Sequence, residues 1–474
     1  MGKLAVLALL SVCAVGDTIL PYGEARARMV AIVGATVIYP ERATADAVAP
    51  DTTIVISGNR IQAVGPSSTT PVPQGAAIID GAGKWVIPGL IDAHVHFFQS
   101  GNLYTRPDIA DFRAWMPYER ETARNRDRLP ATFKVWLASG VTGVVDVGGP
   151  MWNFEVRRLA RRTREAPRVA VAGPLVSTVA RPELDLGDPP IVRVTTPAEA
   201  RTQVQRQLPE RPDYIKVWFI QRPGDSLARP AAIVTATADA AHAAGVPLAV
   251  HATELQVAKA ALRAGANFLV HSVEDAPVDA EFLELARQRS VLYCPTLFVM
   301  NGYGLALSNT WQPTGPEARL ADPRVLAAMR DLDVMPAEKI PAWIAGMMRQ
   351  PPAIRIRPAA LQNVRRVWDA GITVVMGTDA GNIGTIHGPS VFREMELMVR
   401  AGLTTLEVLR SATTNGARAL GMERDLGVIA PGKLADLVVV DGNPLADIAN
   451  LSRIHRVVKD GLPFDPDALI GSIR

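Results

Sequence analysis

The sequence VIPGLIDAHVH at residues 86–96 decides the fold. It is apolar on both faces, as expected of a strand buried within a parallel sheet. It ends in two histidines, His94 and His96, and side chains two positions apart on a strand point to the same side. The stretch therefore predicts a buried strand whose carboxyl end directs two imidazoles at one point.

Seven further apolar runs follow this strand, and helical patterns such as 231–244 and 254–264 alternate with them. The runs are 141–147, 168–176, 214–220, 247–251, 267–271, 290–297 and 373–379. Eight strand–helix units within 85–423 predict the α/β class and a (β/α)8 TIM barrel. A doubly wound open sheet is the alternative, but no glycine-rich phosphate loop follows the first strand.

Short β-type runs broken by turn residues lie at both ends of the chain. The runs are 30–33, 36–39, 52–57 and 60–64 near the start, and 427–429, 435–441 and 454–459 near the end. They predict a small composite β-sandwich domain, built from residues 29–84 together with 424–474. Between barrel strands seven and eight, the long segment at about 298–371 is predicted to form an insertion near the barrel mouth.

Composition excludes several classes of protein. The chain has 474 residues, of which 48% are hydrophobic and only 20% charged, so it is not a disordered chain. Its 50 basic and 47 acidic residues leave a net charge of +3, which argues against a nucleic-acid partner. Two cysteines, Cys13 and Cys294, are too few for a disulfide framework or for a cysteine-ligated zinc module.

The amino terminus has the pattern of a signal peptide. Lys3 precedes an apolar run at 4–15, which is too short to span a membrane, and small residues then allow cleavage before Asp17. We therefore predict that residues 1–16 direct export to the periplasm or the exterior. The alternative is a cytoplasmic protein whose translation starts at Met29.

Polar residues gather at the carboxyl ends of the predicted barrel strands, where barrel enzymes carry their chemistry. Besides His94 and His96, strand five ends in His251, strand six in His271 and strand eight in Asp379. One buried histidine is usually a structural residue, but four at the same end of one sheet are hard to explain in that way. Imidazole and carboxylate without thiolate predict a divalent metal site, and zinc fits it well.

Lys216 lies within the otherwise apolar fourth strand, at 214–220. A buried, unpaired ammonium is costly and tends to lose its proton. A neutral amine can react with carbon dioxide to form a carbamate, whose oxygens can bridge two metal ions. The alternative is a lysine that extends to the strand end or pairs with a carboxylate. Beside four histidines and an aspartate, we favour the metal-binding interpretation.

Three separated motifs resemble those of the amidohydrolase superfamily: residues 86–96, the strand end Gly377-Thr378-Asp379, and PGKLADLV at 431–438. Within it, the segments at 215–217 and 269–272 resemble the imidazolonepropionase-like and Xaa-Pro dipeptidase-like branch. The resemblance covers nearly the whole chain after Met29. It implies a more buried metal on His94, His96 and Asp379, a more exposed one on His251 and His271, and carboxylated Lys216 as the bridge.

The resemblance also implies an activity. Two divalent ions, zinc in the first instance, share a hydroxide whose pKa they depress. Asp379 accepts the proton of that hydroxide and passes it to the leaving nitrogen. The predicted function is hydrolysis of a small-molecule amide, such as an N-acyl amino acid or a dipeptide, by an enzyme that forms homo-oligomers. Lactone or ester hydrolysis is an alternative, whereas a scaffold without activity is disfavoured because all six ligand positions are filled.

Four further residues are candidate substrate contacts: Glu254, Arg181, His387 and Tyr293. Glu254 stands three residues after His251, the spacing of a proton donor in mononuclear deaminases of nucleobase-like substrates. That deaminase is the main rival, although it leaves Lys216 without a role. The loop that holds Arg181 lacks the histidine of the dipeptidase branch, which puts simple dipeptidase specificity in doubt. Each candidate also has a structural alternative. Glu254 could open the helix that follows it, Arg181 could be a solvated loop residue, His387 a loop residue and Tyr293 a buried core residue.

Overall fold

The computed structural model describes residues 29–42, 44–221, 224, 226–350 and 356–474. The predicted signal peptide at 1–16 lies outside these residues. Across the described ranges, no helix combines the length and the apolar character that a membrane span requires.

The described chain contains eighteen strands, numbered in chain order. They are β1 Met29–Ile38, β2 Val48–Ser57, β3 Arg60–Pro66, β4 Ala77–Asp80, β5 Trp85–Pro88, β6 Leu90–Val95, β7 Val141–Asp146, β8 Arg168–Val171, β9 Leu175–Ser177, β10 Ile191–Arg193, β11 Ile215–Trp218, β12 Leu248–His251, β13 Phe268–Val270, β14 Leu292–Cys294, β15 Thr373–Val374, β16 Leu437–Val440, β17 Ile454–Lys459 and β18 Leu462–Phe464.

Sixteen α-helices accompany them within the same ranges. They are α1 Tyr118–Asp127, α2 Leu129–Ala138, α3 Asn153–Arg162, α4 Pro197–Gln207, α5 Ala228–Ala243, α6 Leu255–Ala264, α7 Ala280–Gln288, α8 Val299–Leu307, α9 Gly315–Leu320, α10 Pro323–Ala328, α11 Ala342–Met348, α12 Pro358–Asp369, α13 Ser390–Arg400, α14 Thr405–Ala412, α15 Thr414–Ala419 and α16 Pro466–Gly471. Short 3-10 helices lie at Thr44–Asp46, Pro182–Leu184, Leu208–Glu210, Asp331–Asp333, Ala337–Lys339 and Ile448–Ser452.

Eight parallel strands form the ring at the centre of the molecule. β6, β7 and β8 pair in one ladder, and β11 to β15 pair in a second one. Single parallel bridges join the two ladders, Ala172 to Tyr214 on one side and Val95 to Ala380 on the other. The backbone N–H of Asp379 also donates to the His94 carbonyl at 2.7 Å. The TIM-barrel prediction is confirmed.

Alternate residues of the barrel strands pack into two different clusters. Val144 and Val250 belong to the large core between the strands and the helices. Their neighbours Val145 and Ala249 belong to a second cluster at the barrel axis, which Tyr214 and residues of α15 also join. This period of two is that of strands buried on both faces. The axial cluster fills the barrel with apolar side chains below the polar carboxyl ends.

Strands from both ends of the chain pair into one mixed sheet of eight strands, in the order β18-β17-β16-β5-β1-β2-β3 with β4 beside β1. β16 pairs antiparallel with β5, which leads directly into β6. The runs predicted at 30–33 and 36–39 form a single strand, β1, whose pairing with β2 shifts register between Ile32 and Ala35. Gly34 lies at this shift with a φ of 72°, which glycine adopts readily, so the strand continues through it.

Two other expected strands differ in detail. The third barrel run is interrupted at Gly173 and Pro174, and β9 after the break pairs with β10 and β11. Proline cannot donate to a ladder, which accounts for the break. Residues 427–429 form no strand, because Gly427 has a φ of 86° and packs against the helix that precedes it. β4, β10 and β18, which are only three or four residues long, were not predicted from the sequence.

The segment between β14 and β15 covers one side of the barrel mouth. Its helices α8, α10 and α11 share an apolar cluster with the loop that follows β6. Leu103, Phe112, Trp311 and Ile344 contribute to this cluster. The cluster is separate from the main core, so this insertion is a small packed unit of its own at the carboxyl ends of the strands.

We predict that the ion pair between Arg168 of β8 and Asp436, which directly precedes β16, is important for stability. Arg168 donates to both oxygens of Asp436, whose side chain is 1% exposed. Arg168→Met leaves that carboxylate buried without its cation and should lower the free energy of unfolding by about 3–5 kcal/mol, measured by urea denaturation. The control Arg113→Met removes an exposed pair with Asp111 and should change it by less than about 1 kcal/mol. Equal effects would contradict the prediction.

Candidate metal centre

Two histidines at the end of β6 point at the carboxylate that follows β15. His94 Nε2 and His96 Nε2 lie 3.3 and 3.2 Å from Asp379 Oδ1. His96 Nδ1 donates to the Gly148 carbonyl at 2.7 Å, which leaves its Nε2 with a free lone pair. A fixed tautomer of this kind is the usual arrangement of a metal-binding histidine.

Left-handed backbone conformations aim the polar groups from other strand ends. His271, Thr296 and Asp379 have φ values of 76°, 44° and 61°, which non-glycine residues adopt at a cost of about 1–3 kcal/mol each. His271 Nδ1 and Thr296 Oγ1 form a hydrogen bond of 2.6 Å, which orients the ring. With Nδ1 as the donor, Nε2 of this histidine keeps its lone pair. Strain that recurs around one point indicates a functional site.

Lys216 extends from β11 into the same space. Its side chain is 1% exposed, and Nζ has no hydrogen-bond partner among the described residues. Burial lowers the pKa of Lys216 to about 7, although Asp379 acts in the opposite direction. A substantial fraction of this amine is therefore neutral near pH 7.

The histidine rings form one cluster. The ring centres of His251 and His271 are 4.4 Å apart, and those of His94 and His271 are 4.9 Å apart. Burial, and next the charge of Lys216, lower the pKa of His251 to about 3, and burial also holds the pKa values of His94 and His271 well below the usual value. These imidazoles are neutral, which is the form that binds metal ions.

The residues fit a divalent cation. Ligand atoms of His94, His271 and Asp379 all lie within 4.8 Å of one another. Both ring nitrogens of His94, Oδ1 of Asp379 and Nζ of Lys216 are buried without any hydrogen-bond partner from the described chain. Buried polar atoms are almost always paired, so this group calls for a partner that the protein itself does not supply.

A buried carboxylate that sequence analysis missed joins the first and last barrel strands. Asp92 accepts hydrogen bonds from the His94 N–H, the Thr378 N–H and the Thr378 hydroxyl at 3.1, 3.0 and 2.6 Å. Burial raises the pKa of Asp92 to about 7. Asp92 lies in the motif at 86–96 and Thr378 in the motif at 377–379, but only the fold shows that the two residues are in contact.

A second missed network supports the loop after Asp379. Asn382 donates to the Asp379 carbonyl and accepts from Arg106 and Tyr303, at 3.1, 2.8 and 2.6 Å. Arg106 also forms a bidentate pair with Asp108. Arg106, Tyr303 and Asn382 line the same cavity as the histidines. Their positions in loops and in α8 gave no periodic signal in the sequence.

The cluster lies in a cavity of about 490 Å³. All six predicted metal ligands line it: His94, His96, Lys216, His251, His271 and Asp379. The structure therefore brings together the residues that sequence analysis assigned to the metal centre.

The four candidate substrate contacts are placed differently. Glu254 lines the cavity. Arg181 is at its edge, paired with Asp108 at 3.3 Å and stacked over Trp218, which lines the cavity. The other two do not line this cavity. His387 Nε2 lies 3.1 Å from the His96 carbonyl, and the Tyr293 hydroxyl lies 3.0 Å from the Val273 N–H in the core between strands and helices.

The profile of the Amidohydrolase family matches residues 85–463. The chain belongs to the amidohydrolase family. An imidazolonepropionase of Rhizorhabdus wittichii is 25% identical to this amidohydrolase over 446 residues, which cover 87% of this chain and 94% of the relative.

Two solved structures share the fold of this amidohydrolase. A Xaa-Pro dipeptidase with methionine bound in its active site superposes with a TM-score of 0.69 at 24% identity, covering 92% of this chain and 100% of the other. Molinate hydrolase superposes with a TM-score of 0.69 at 23% identity, covering 94% and 96%. At this identity the likeness concerns the fold alone.

The hydrogen bond that orients His271 is open to a direct test. Thr296→Val keeps the shape of the side chain but removes the partner of His271 Nδ1, and loss of such a partner weakens metal affinity by about 10–100-fold. Zinc affinity is measured by competition with a chelator. The control Thr237→Val removes a buried hydroxyl that bonds only the Ile233 carbonyl in α5, and it should leave zinc affinity unchanged. Equal affinities in the Thr296 variant and the wild type would contradict the assignment.

A second prediction concerns pH and the metal-free protein. Because the pKa of Lys216 is lowered to about 7 in the fold and is about 10.4 in an unfolded chain, the unfolded chain binds more protons between these values. Stability should therefore rise with pH across this window, by at most about 1.4 kcal/mol per pH unit from this group.

The matched variant is Lys216→Met, which removes the titrating amine and keeps an unbranched side chain. It should be more stable than the wild type at pH 7, and the difference should shrink as pH rises towards the unfolded pKa. Urea midpoints of both proteins, taken in a chelator and in buffer free of carbon dioxide, give the measurement. A difference that does not vary with pH would refute the lowered pKa.

Proposed function

We propose that the chain is a metal-dependent hydrolase that cleaves the amide C–N bond of a small molecule, an N-acyl amino acid or a dipeptide. The observation that carries the proposal is the group of buried, unpartnered ligand atoms on His94, Lys216 and Asp379 within the cavity. The named activity of the relative found by sequence, an imidazolonepropionase, supports a C–N bond as the target.

In this proposal the protein holds two divalent ions, zinc in the first instance. The assigned ligands are His94, His96 and Asp379 for one ion, His251 and His271 for the other, and carboxylated Lys216 for both. When bound, such ions polarise the scissile carbonyl and lower the pKa of the attacking water. The neutral state of the imidazoles supports these assignments, since a protonated ring cannot act as a ligand.

Lys216 supports the proposal through the state of its amine. The neutral Nζ attacks the carbon of carbon dioxide, a C–N bond forms, and one proton leaves to solvent. The product is a carbamate with one negative charge, which offsets part of the charge of the cations. The apolar surroundings of β11 disfavour any isolated charge, whether it is the ammonium of Lys216 or its carbamate. The carbamate is therefore stable there only when cations are bound beside it.

Asp379 is the proposed catalytic residue. Its carboxylate accepts the proton of the attacking water and donates it to the nitrogen that leaves, so the departing amine is neutral. The strained backbone at Asp379 and the hydrogen bond from Asn382 to its carbonyl hold this carboxylate beside His94 and His96. A group that is fixed before the reaction needs no rearrangement during it.

A mononuclear deaminase is the second candidate. The placement of Glu254 in the cavity favours it, because a carboxyl there can protonate a ring nitrogen. Burial raises the pKa of Glu254, which supports a proton donor. Against it, one metal ion leaves the buried amine of Lys216 without a partner.

The experiment is a substrate screen of metal-loaded protein with N-acyl amino acids, dipeptides, lactones, aryl esters and nucleobases. We expect two metal ions per chain, amine release from an amide, and loss of activity in a chelator with recovery on zinc. Asp379→Asn should lower kcat by about 10²–10⁴-fold, whereas the exposed control Asp369→Asn should not. Ammonia release from a nucleobase with one metal per chain would favour the deaminase instead, and faster cleavage of a lactone or ester would move the activity to that class.

The same preparation tests the carbamate. Protein loaded with metal in ¹³C-bicarbonate should show a labelled carbonyl signal that is absent from the Lys216→Met variant. A wild type that binds two ions without this signal would refute the bridging role of Lys216.

A further inference from the structure

Three exposed apolar side chains meet at the mouth of the cavity. Ile109, Met300 and Trp343 are 40%, 41% and 49% exposed, and all three line the cavity that holds the candidate metal ligands. We call these three residues the apolar platform. They come from separate parts of the chain: the loop after β6, the start of α8, and α11.

Exposed apolar groups are ordinary when they are scattered, but a group that adjoins a polar site marks a binding surface. Below the platform, Val299 and Leu307 of α8 continue the same apolar wall into the cavity, and both are buried. The packed cluster of the insertion holds this wall, because Val299, Leu307 and Ile344 all belong to it. The wall is therefore a fixed surface, and α8 and α11 present it towards the site.

Another part of the same cavity is charged. The loops after β12 and β13 supply Glu254 and Glu274, and Arg357 lies 3.7 Å from Glu274. The lining thus contains an apolar wall as well as charged side chains. A molecule whose reacting bond lies at the histidine cluster has both kinds of surface available to it.

We infer that the substrate carries a bulky, uncharged apolar group on one side of the scissile bond, and that the apolar platform binds this group. The inference rests on the proposed function for the bond that is cleaved, but the binding surface itself is a property of the described residues. The indole of Trp343 offers a flat face for an aromatic or branched group. The chain is thereby assigned to amides with a large apolar half, rather than to small polar dipeptides.

The kinetic test varies one half of the substrate at a time. With the best amino acid from the screen held constant, the acyl group is lengthened from acetyl to butanoyl, hexanoyl and 3-phenylpropanoyl. A second series holds the acyl group constant and enlarges the amino acid. In one of the two series, kcat/KM should rise about fourfold per added methylene.

The variant pair tests which residues cause the rise. The double variant Met300→Ser, Trp343→Ser should flatten it to less than twofold per methylene. The control Val334→Ser changes a 71% exposed side chain of the same insertion that does not line the cavity, and it should keep the full rise. If both series are flat in the wild type, or if the double variant shows an equal rise, the inference is overturned.

A binding measurement separates this inference from the proposed function. If the acyl series is the one that rises, calorimetry on zinc-loaded protein with acetohydroxamate, hexanohydroxamate and 3-phenylpropanohydroxamate should show the same rise in affinity, and the double variant should lose it. If no amide is cleaved but the affinity rises, the proposed function fails and the platform stands. If amides are cleaved and neither series depends on size, the inference alone fails. A change of oligomeric mass in the double variant, with unchanged affinities, would make the platform an interface between copies and overturn the inference.

Discussion

The contact between the first and last strands of the barrel is the interaction on which the site depends. Asp92 on β6 accepts two hydrogen bonds from Thr378 and one from the backbone of His94, and these three donors offset the cost of burying its carboxyl. Gly377 allows the approach, since an added Cβ there would lie 2.9 Å from the His94 nitrogen. The ring of strands closes at this point, and its closure sets His94 beside Asp379.

Burial explains the chemistry of the cluster as well as its position. Burial keeps the imidazoles neutral and lowers the pKa of the lysine amine, so the cluster consists of groups whose lone pairs are free to bind a cation. Such an arrangement is unfavourable for an isolated protein and favourable once positive charge is present. Residue types that lower the stability of the site in which they are buried are typical of functional positions.

The sequence predicts well the ring of strands and the residues that gather at its carboxyl ends, because both depend on local rules. Apolar runs on both faces identify the strands, and the position of His251 or Lys216 within its run determines which end of the barrel it reaches. The supporting partners were not predictable, since Thr296 and Asn382 approach the site only after backbone turns with unusual φ values at His271, Thr296 and Asp379. The direction of the Tyr293 side chain was equally hard to predict. In the short strand β14, the side chains alternate so that Tyr293 points towards the helices and its neighbours point towards the barrel axis.

The sheet built from both ends of the chain has a consequence for the order of events during synthesis on the ribosome. β5 precedes the strand that carries His94 and His96, and it takes its partner from β16, where Pro88 pairs with Leu437. Arg168 of β8 likewise finds its carboxylate at Asp436. Strand β5 therefore leaves the exit tunnel long before its partner β16 is synthesised, and the sheet beside the candidate metal centre is completed only after all the barrel strands have been made. Until then, one edge of β5 lacks its partner, and an unpaired strand edge is prone to pair with other chains.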